Sequence, residues 1–176
     1  MTPTVLIVPG WGDSGPGHWQ TLWQTAHPEF RRVKQRDWEY AVRATWTDAL
    51  ADAIREASGP AVLVAHSLGC HAVAHVAPLG LPITGALLVA PPDVERIDFP
   101  PVVEGFVPVP RARLPFASVV VASADDMFCD VATSHALADA WGSRFVNIGP
   151  MGHINTDAGF GPWPEGEALL IELLRR

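Results

Sequence analysis

Two cysteines in 176 residues, Cys70 and Cys129, are too few for a disulfide framework and lack the spacing of zinc ligands. Basic residues are also scarce. Twelve Lys and Arg stand against nineteen Asp and Glu, a formal net charge of −7, which argues against nucleic acid or an anionic membrane as the main partner. Long apolar runs are missing, so no stretch has the length to span a bilayer. The leading Met1-Thr2-Pro3-Thr4-Val5-Leu6-Ile7-Val8-Pro9 has no basic flank, and its apolar run is too short for a signal peptide. No repeat is visible along the chain. Together these absences predict a cytoplasmic protein in a reducing compartment.

A composition of 48% hydrophobic and 18% charged residues is that of a compact globular chain, and 1–176 is expected to form one domain. Short Val/Leu/Ile runs alternate with helical patterns. Strands are predicted at 4–9, 32–36, 60–66, 83–90, 117–122 and 144–148, and helices at 17–27, 45–57, 69–77, 132–141 and 164–175. This alternation, with nearly continuous apolar strands, predicts an α/β fold with a parallel sheet covered on both faces. One break stands out at 91–115, where Pro91, Pro92, Pro100, Pro101, Pro108, Pro110 and Pro115 make an irregular excursion. It leaves the carboxyl end of the fourth predicted strand, the edge where open α/β sheets bind ligands, and reads as either a site wall or a surface connection.

The chemistry gathers around Val62-Leu63-Val64-Ala65-His66-Ser67-Leu68-Gly69-Cys70. A buried strand turns at once into a helix with serine at the apex, as in the nucleophile elbow of α/β-hydrolases, G-x-S-x-G. Small residues two before and two after the serine, here Ala65 and Gly69, let strand and helix backbones approach closely. A serine hydroxyl is a weak nucleophile until a base takes its proton and a third group orients that base. In this fold the chain order is Ser, acid, His. After Ser67, the strand ending at Ala122 runs into Ser123-Ala124-Asp125-Asp126, and the next strand leads into Gly149-Pro150-Met151-Gly152-His153. Ser67, either Asp125 or Asp126, and His153 therefore fall at the carboxyl ends of three strands in the required order. The oxyanion hole needs the N–H after the nucleophile, Leu68, and one from the loop after the first strand, Pro9-Gly10-Trp11-Gly12-Asp13-Ser14-Gly15, where Trp11 is the candidate. That loop is neither a Walker loop nor G-x-G-x-x-G.

Pro9-Gly10-Trp11-Gly12, Ser14-Gly15-Pro16-Gly17-His18-Trp19-Gln20, Trp23 and Gln35-Arg36-Asp37-Trp38 carry a resemblance to a known family. It continues through Val64 to Cys70, Ala122 to Asp126, Gly152-His153-Ile154-Asn155 and Gly159-Phe160-Gly161-Pro162-Trp163-Pro164-Glu165-Gly166. Over essentially its whole length the chain resembles the small α/β-hydrolase family that includes retinoblastoma-binding protein nine and short bacterial serine hydrolases. The resemblance implies a serine hydrolase with Ser67, Asp126 and His153 as triad, and alanine at position 65 is common in that family. Its acid is usually followed by proline, where this chain has Met127, and Ala41 replaces a frequent proline. Asp125 is the fallback acid.

The remaining residues have plainer readings. His66 is expected to pack or hydrogen-bond locally, and His71 and His75, spaced i, i+4, lack a third ligand for a metal. Gly10, His18, Trp19 and Phe128 are candidate pocket residues, although His18 and Trp19 can equally be structural. Trp38, Trp46 and Trp163 read as packing residues, and Cys70 as a small buried hydrophobe. The predicted fold is a minimal α/β-hydrolase: six parallel strands in order 2-1-3-4-5-6, helices on both faces and no cap domain. The predicted activity is hydrolysis of small acyl esters, thioesters or amides through an acyl-enzyme, carboxylesterase-like with peptidase or amidase action as a variant, in a shallow pocket and without metal or organic cofactor. The expected partner is a small acyl substrate. The competing class is a catalytically weak protein-binding module on the same fold. A Leu-x-Cys-x-Glu docking motif is not its basis, because Leu68-Gly69-Cys70-His71-Ala72 lacks the glutamate.

Overall fold

The structure, a computed structural model, describes residues 2–175, so residues 1 and 176 of the expected domain lie outside the described ones. In chain order the elements are β1 (Thr4–Val8), α1 (Trp19–Ala26), β2 (Arg31–Arg32), β3 (Ala41–Val42), α2 (Arg43–Arg55), β4 (Ala61–His66), α3 (Leu68–Val76), β5 (Ile83–Val89), β6 (Val103–Glu104), β7 (Ala117–Ala122), α4 (Val131–Trp141), β8 (Arg144–Asn147) and α5 (Pro164–Leu174). Six strands form one parallel sheet in the order β2-β1-β4-β5-β7-β8. Counted among themselves, these six have the expected order 2-1-3-4-5-6. Period-2 alternation sorts their side chains. Leu6, Val8, Leu63, Ala65, Leu88 and Val120 pack with Leu50 of α2, Val73 of α3 and Leu137 of α4 on one face. Val5, Ile7, Val62, Val64, Leu87, Val89 and Val121 meet Trp19 and Trp23 of α1 and Leu170 and Leu173 of α5 on the other.

Two details differ from the sequence expectation. The strand predicted at 32–36 contracts to Arg31–Arg32, with the Val33 N–H still donating to the Ile7 carbonyl, because this edge strand has only β1 to pair with. A second, two-stranded parallel ribbon joins Ala41–Val42 to Val103–Glu104. It ties the proline-rich excursion down beside α2, and Phe106, Val109 and Leu114 bury their side chains from the same stretch. Among the described residues, no helix is long and apolar enough to cross a membrane.

Candidate active site

The turn from β4 into α3 holds Ser67 at φ 53°, ψ −127°, a conformation that costs a non-glycine residue roughly 1–3 kcal/mol. Flanking hydrogen bonds impose it: Ser67 N–H donates to Val89 O at 2.9 Å, and Cys70 N–H donates to Ser67 O at 2.9 Å. The close approach falls on two glycines. A Cβ on Gly69 would stand 2.5 Å from Val8 O and 2.7 Å from Pro9 O, and one on Gly10 would stand 2.7 Å from the Ser67 Cβ. Ala65, by contrast, lies within the regular ladder between Val8 and Leu88, where a methyl group fits.

Ser67, Asp126 and His153 converge. Ser67 Oγ lies 2.9 Å from His153 Nε2, and His153 Nδ1 lies 2.8 and 3.0 Å from the two Asp126 oxygens. With Nδ1–H donating to the carboxylate, Nε2 is left as the acceptor for the serine proton. The Asp126 side chain is only 3% exposed, and its Oδ1 also accepts the Phe128 N–H at 2.9 Å. Asp125 does different work. Its Oδ1 accepts Ser123 Oγ–H and Gly152 N–H, both at 2.8 Å, which pins the histidine loop to the acid loop. These bonds hold its carboxyl below the usual range, the Gly152 N–H contributing most.

The rest of the site surrounds a cleft of about 180 Å³ lined by Trp11, Asp13, His18, His66, Leu68, Pro92, Phe99, Pro100, Phe128 and Asn155 together with Ser67 and His153. Trp11 and Leu68 both border it, and neither backbone N–H donates to another described residue. The Trp11 loop is braced from outside: Trp11 Nε1–H donates to Glu39 O at 2.7 Å and Gly12 N–H to Trp38 O at 3.0 Å. Trp38, expected only to pack, thus also supports the site through its carbonyl. Of the expected lining residues, His18 and Phe128 line the cleft and two do not. Trp19 is fully buried in the core beneath, where its Nε1–H supports Ile154 O at 2.9 Å. Gly10 lies behind Ser67 as a spacer, because any side chain there would strike the Ser67 Cβ. The proline-rich stretch supplies a wall through Pro92, Phe99 and Pro100, and it clamps the acid loop: Asp93 N–H donates to Phe128 O and Arg96 Nη1 to Met127 O.

Three buried histidines frame this region. His66 packs its ring against His18 and Trp19, and its Nε2–H donates across the site to the His153 carbonyl at 2.9 Å. Burial, with His153 and His18 nearby, pushes the His66 pKa well below its ordinary value, so the ring stays neutral. His18 is lowered to about 4, chiefly by burial and then by Arg32. His71 is lowered to about 4 by burial, with its Nε2–H donating to Pro92 O at 2.6 Å. His75 faces the Phe106 carbonyl. Cys70 is fully buried with its thiol pKa raised by burial, and Cys129 is raised to about 11 for the same reason, so neither is a ready thiolate. Among the described residues, no cluster of His, Cys, Asp and Glu could hold a metal ion.

Known proteins share this architecture. A YdeN-like hydrolase from Pectobacterium atrosepticum superposes with a TM-score of 0.88 at 32% identity, covering 99% of this chain and 91% of that one. The ydeN gene product of Bacillus subtilis gives 0.78 at 22% identity, covering 99% and 100%. An esterase domain from Rhodothermus marinus shares the fold at 0.72 and 15% identity, covering 99% and 88%. No curated protein matches the sequence significantly. The family model described as Serine hydrolase matches residues 5–172, and with a sheet, elbow and relatives of this kind the chain belongs to that serine hydrolase family.

Proposed function

We propose that this hydrolase cleaves small acyl esters, thioesters or amides through a covalent acyl-enzyme, with carboxylesterase-like action as its main activity. The observation that carries the proposal is the continuous relay from Ser67 Oγ through His153 to Asp126, each contact within 3.0 Å. Ser67 attacks the acyl carbonyl while His153 Nε2 takes its proton. Asp126 holds the imidazole in the required tautomer and stabilises its cationic form. The N–H groups of Leu68 and Trp11 receive the oxyanion, and losing one such donor typically costs about 3–4 kcal/mol of barrier. His153 then returns the proton to the leaving group, and water repeats the cycle on the acyl-enzyme. A cleft of about 180 Å³ lies below the roughly 300–1,000 Å³ of drug-sized pockets, which favours short acyl groups.

Labelling with a fluorophosphonate tests this reading. The wild type is expected to label and the Ser67→Ala variant not to. A folded wild type that stays unlabelled would overturn the proposal and favour a binding module on a hydrolase fold.

A further inference from the structure

The loop that carries Trp11 turns sharply. Gly12 and Asp13 are consecutive residues in the left-handed region, at φ 81° and 62°. For a non-glycine residue that conformation persists only where the surroundings impose it. One side chain outside the loop does so. Arg32, on the edge strand β2, has a side chain only 13% exposed. Its Nη1 donates to Asp13 Oδ1 at 2.5 Å and Ser14 O at 3.1 Å, its Nη2 to Thr21 Oγ1 at 2.5 Å, and its Nε to Gln24 Oε1 at 3.0 Å. Thr21 Oγ1–H donates in turn to Ser14 O, and Ser14 N–H to Asp13 Oδ1, both at 2.7 Å. From Ser14 the network runs inward. The Ser14 hydroxyl donates to Gln20 Oε1 at 2.6 Å, and Gln20 Nε2 donates to Val8 O and Val64 O. Val8 ends β1, which leads into the Trp11 loop, and Val64 lies on β4, which leads into Ser67 and Leu68. Arg32 is therefore the outer member of a polar chain that ends on both strands feeding the site.

We propose that Arg32 is a positioning residue for oxyanion stabilisation, holding the loop from Gly10 to Ser14, and Trp11 with it, in place beside Ser67. The inference rests on the serine hydrolase reading above. An exposed ion pair contributes little, but this guanidinium also binds a backbone carbonyl and two further side chains, in a planar fork that fixes direction as well as charge. The sheet has no need of it, because β2 already pairs with β1 through the backbone. The segment it grips is the one that borders the cleft through Trp11 and Asp13. Its charge has a second effect there: it offsets the Asp13 carboxylate, which would otherwise oppose negative charge developing on the substrate oxygen.

Steady-state kinetics on p-nitrophenyl acetate test this role, with rates counted per fluorophosphonate-labelled site so that lost folding is not mistaken for lost chemistry. Arg32→Met is expected to lower kcat and kcat/KM together by about 100-fold, the scale of one displaced oxyanion donor. Arg32→Lys keeps the charge but cannot reach all four acceptors, and a loss of about tenfold is expected. Arg31→Met is the control on the same strand; its guanidinium faces Glu56, and kcat should stay at the wild-type value. A trifluoromethyl ketone, which adds to serine as a tetrahedral oxyanion, reports on the hole itself: its Ki should rise by the factor by which kcat/KM falls. A merely structural role would leave the per-site rate and this Ki intact. Wild-type kcat per site in Arg32→Met, or in Arg32→Lys where the first variant does not fold, overturns the proposal. A loss of kcat with unchanged Ki overturns it too. A wild type that neither labels nor turns over the ester overturns the hydrolase reading instead.

Discussion

His66, the residue before Ser67, donates its Nε2–H to the backbone carbonyl of His153, 87 positions later. The ring is buried and neutral, so it binds the histidine loop to the elbow without adding charge beside the imidazolium of the proposed mechanism. Its partner on the other side is Trp19, which holds the next carbonyl, Ile154 O, at 2.9 Å. Removing the donor while keeping the ring, as in His66→Phe, is expected to lower kcat about tenfold or more with a smaller change in KM, since misplacing a catalytic group acts on the chemical step. Steady-state kinetics on a p-nitrophenyl ester decide it. An unchanged kcat would mean that Trp19 alone fixes the loop.

The spacing between Gly10 and Ser67 yields a second prediction. A methyl group at position 10 would stand 2.7 Å from the Ser67 Cβ, 3.0 Å from His66 O and 3.3 Å from the Leu68 N. The serine has no slack, being already in a strained conformation. Gly10→Ala should therefore push the nucleophile away from His153 Nε2 and cost about 100-fold in kcat. Retained secondary structure by circular dichroism, with labelling slowed to match, is the expected pair of results. Full activity in this variant would show that the loop yields.

Assignment of the acid is open to a direct comparison. Asp126 meets both His153 Nδ1 and the Phe128 N–H, whereas Asp125 meets Ser123 and the backbone of Gly152. Asp126→Asn presents an amide to the imidazole and favours the wrong tautomer, for which a loss of about 10⁴ in kcat is expected. Asp125→Asn keeps an acceptor oxygen for Gly152 and should lose less than about tenfold. If the two losses came out reversed, the acid would be Asp125.

How much of this was legible in the sequence depends on the range of each interaction. The elbow, Ser67 and His153 follow from strand-loop signals that are local in sequence, and the sheet order from the fold those signals indicate, whereas Asp126 in preference to Asp125 follows only from the family resemblance. The sequence leaves Trp19 open between lining and structural roles because an aromatic next to a site residue looks the same whether it faces the cleft or the core. Its burial is decided by Trp23 and Trp163, the latter distant in the chain. Gly10 was read as lining because a glycine leaves no trace of what it avoids. The β3–β6 ribbon and the clamps from Asp93 and Arg96 join segments with no shared pattern, and a two-residue strand has too few residues to show a period.

Acid sensitivity follows from the buried histidines. His18 and His71 are each lowered from 6.5 to about 4, in both cases chiefly by burial. Their folded pKa lies below the unfolded one, so between pH 6.5 and about 4 the unfolded chain binds more protons than the native one. The stability is complete above pH 6.5 and is lost as pH falls toward 4. The loss for His71, which is fully buried against Trp141 with its Nδ1 unpartnered, should be on the order of 3 kcal/mol across that window. Urea unfolding is therefore expected to show a midpoint that drops steadily from pH 7 to pH 4.5. His71→Asn, which does not titrate, should flatten that slope while lowering stability at pH 7, because the imidazole volume and the bond to Pro92 O are lost. A wild-type midpoint that holds constant down to pH 4.5 would mean that these rings take up protons without leaving the fold, and that the cleft wall carried by Pro92 opens to solvent at mild acidity.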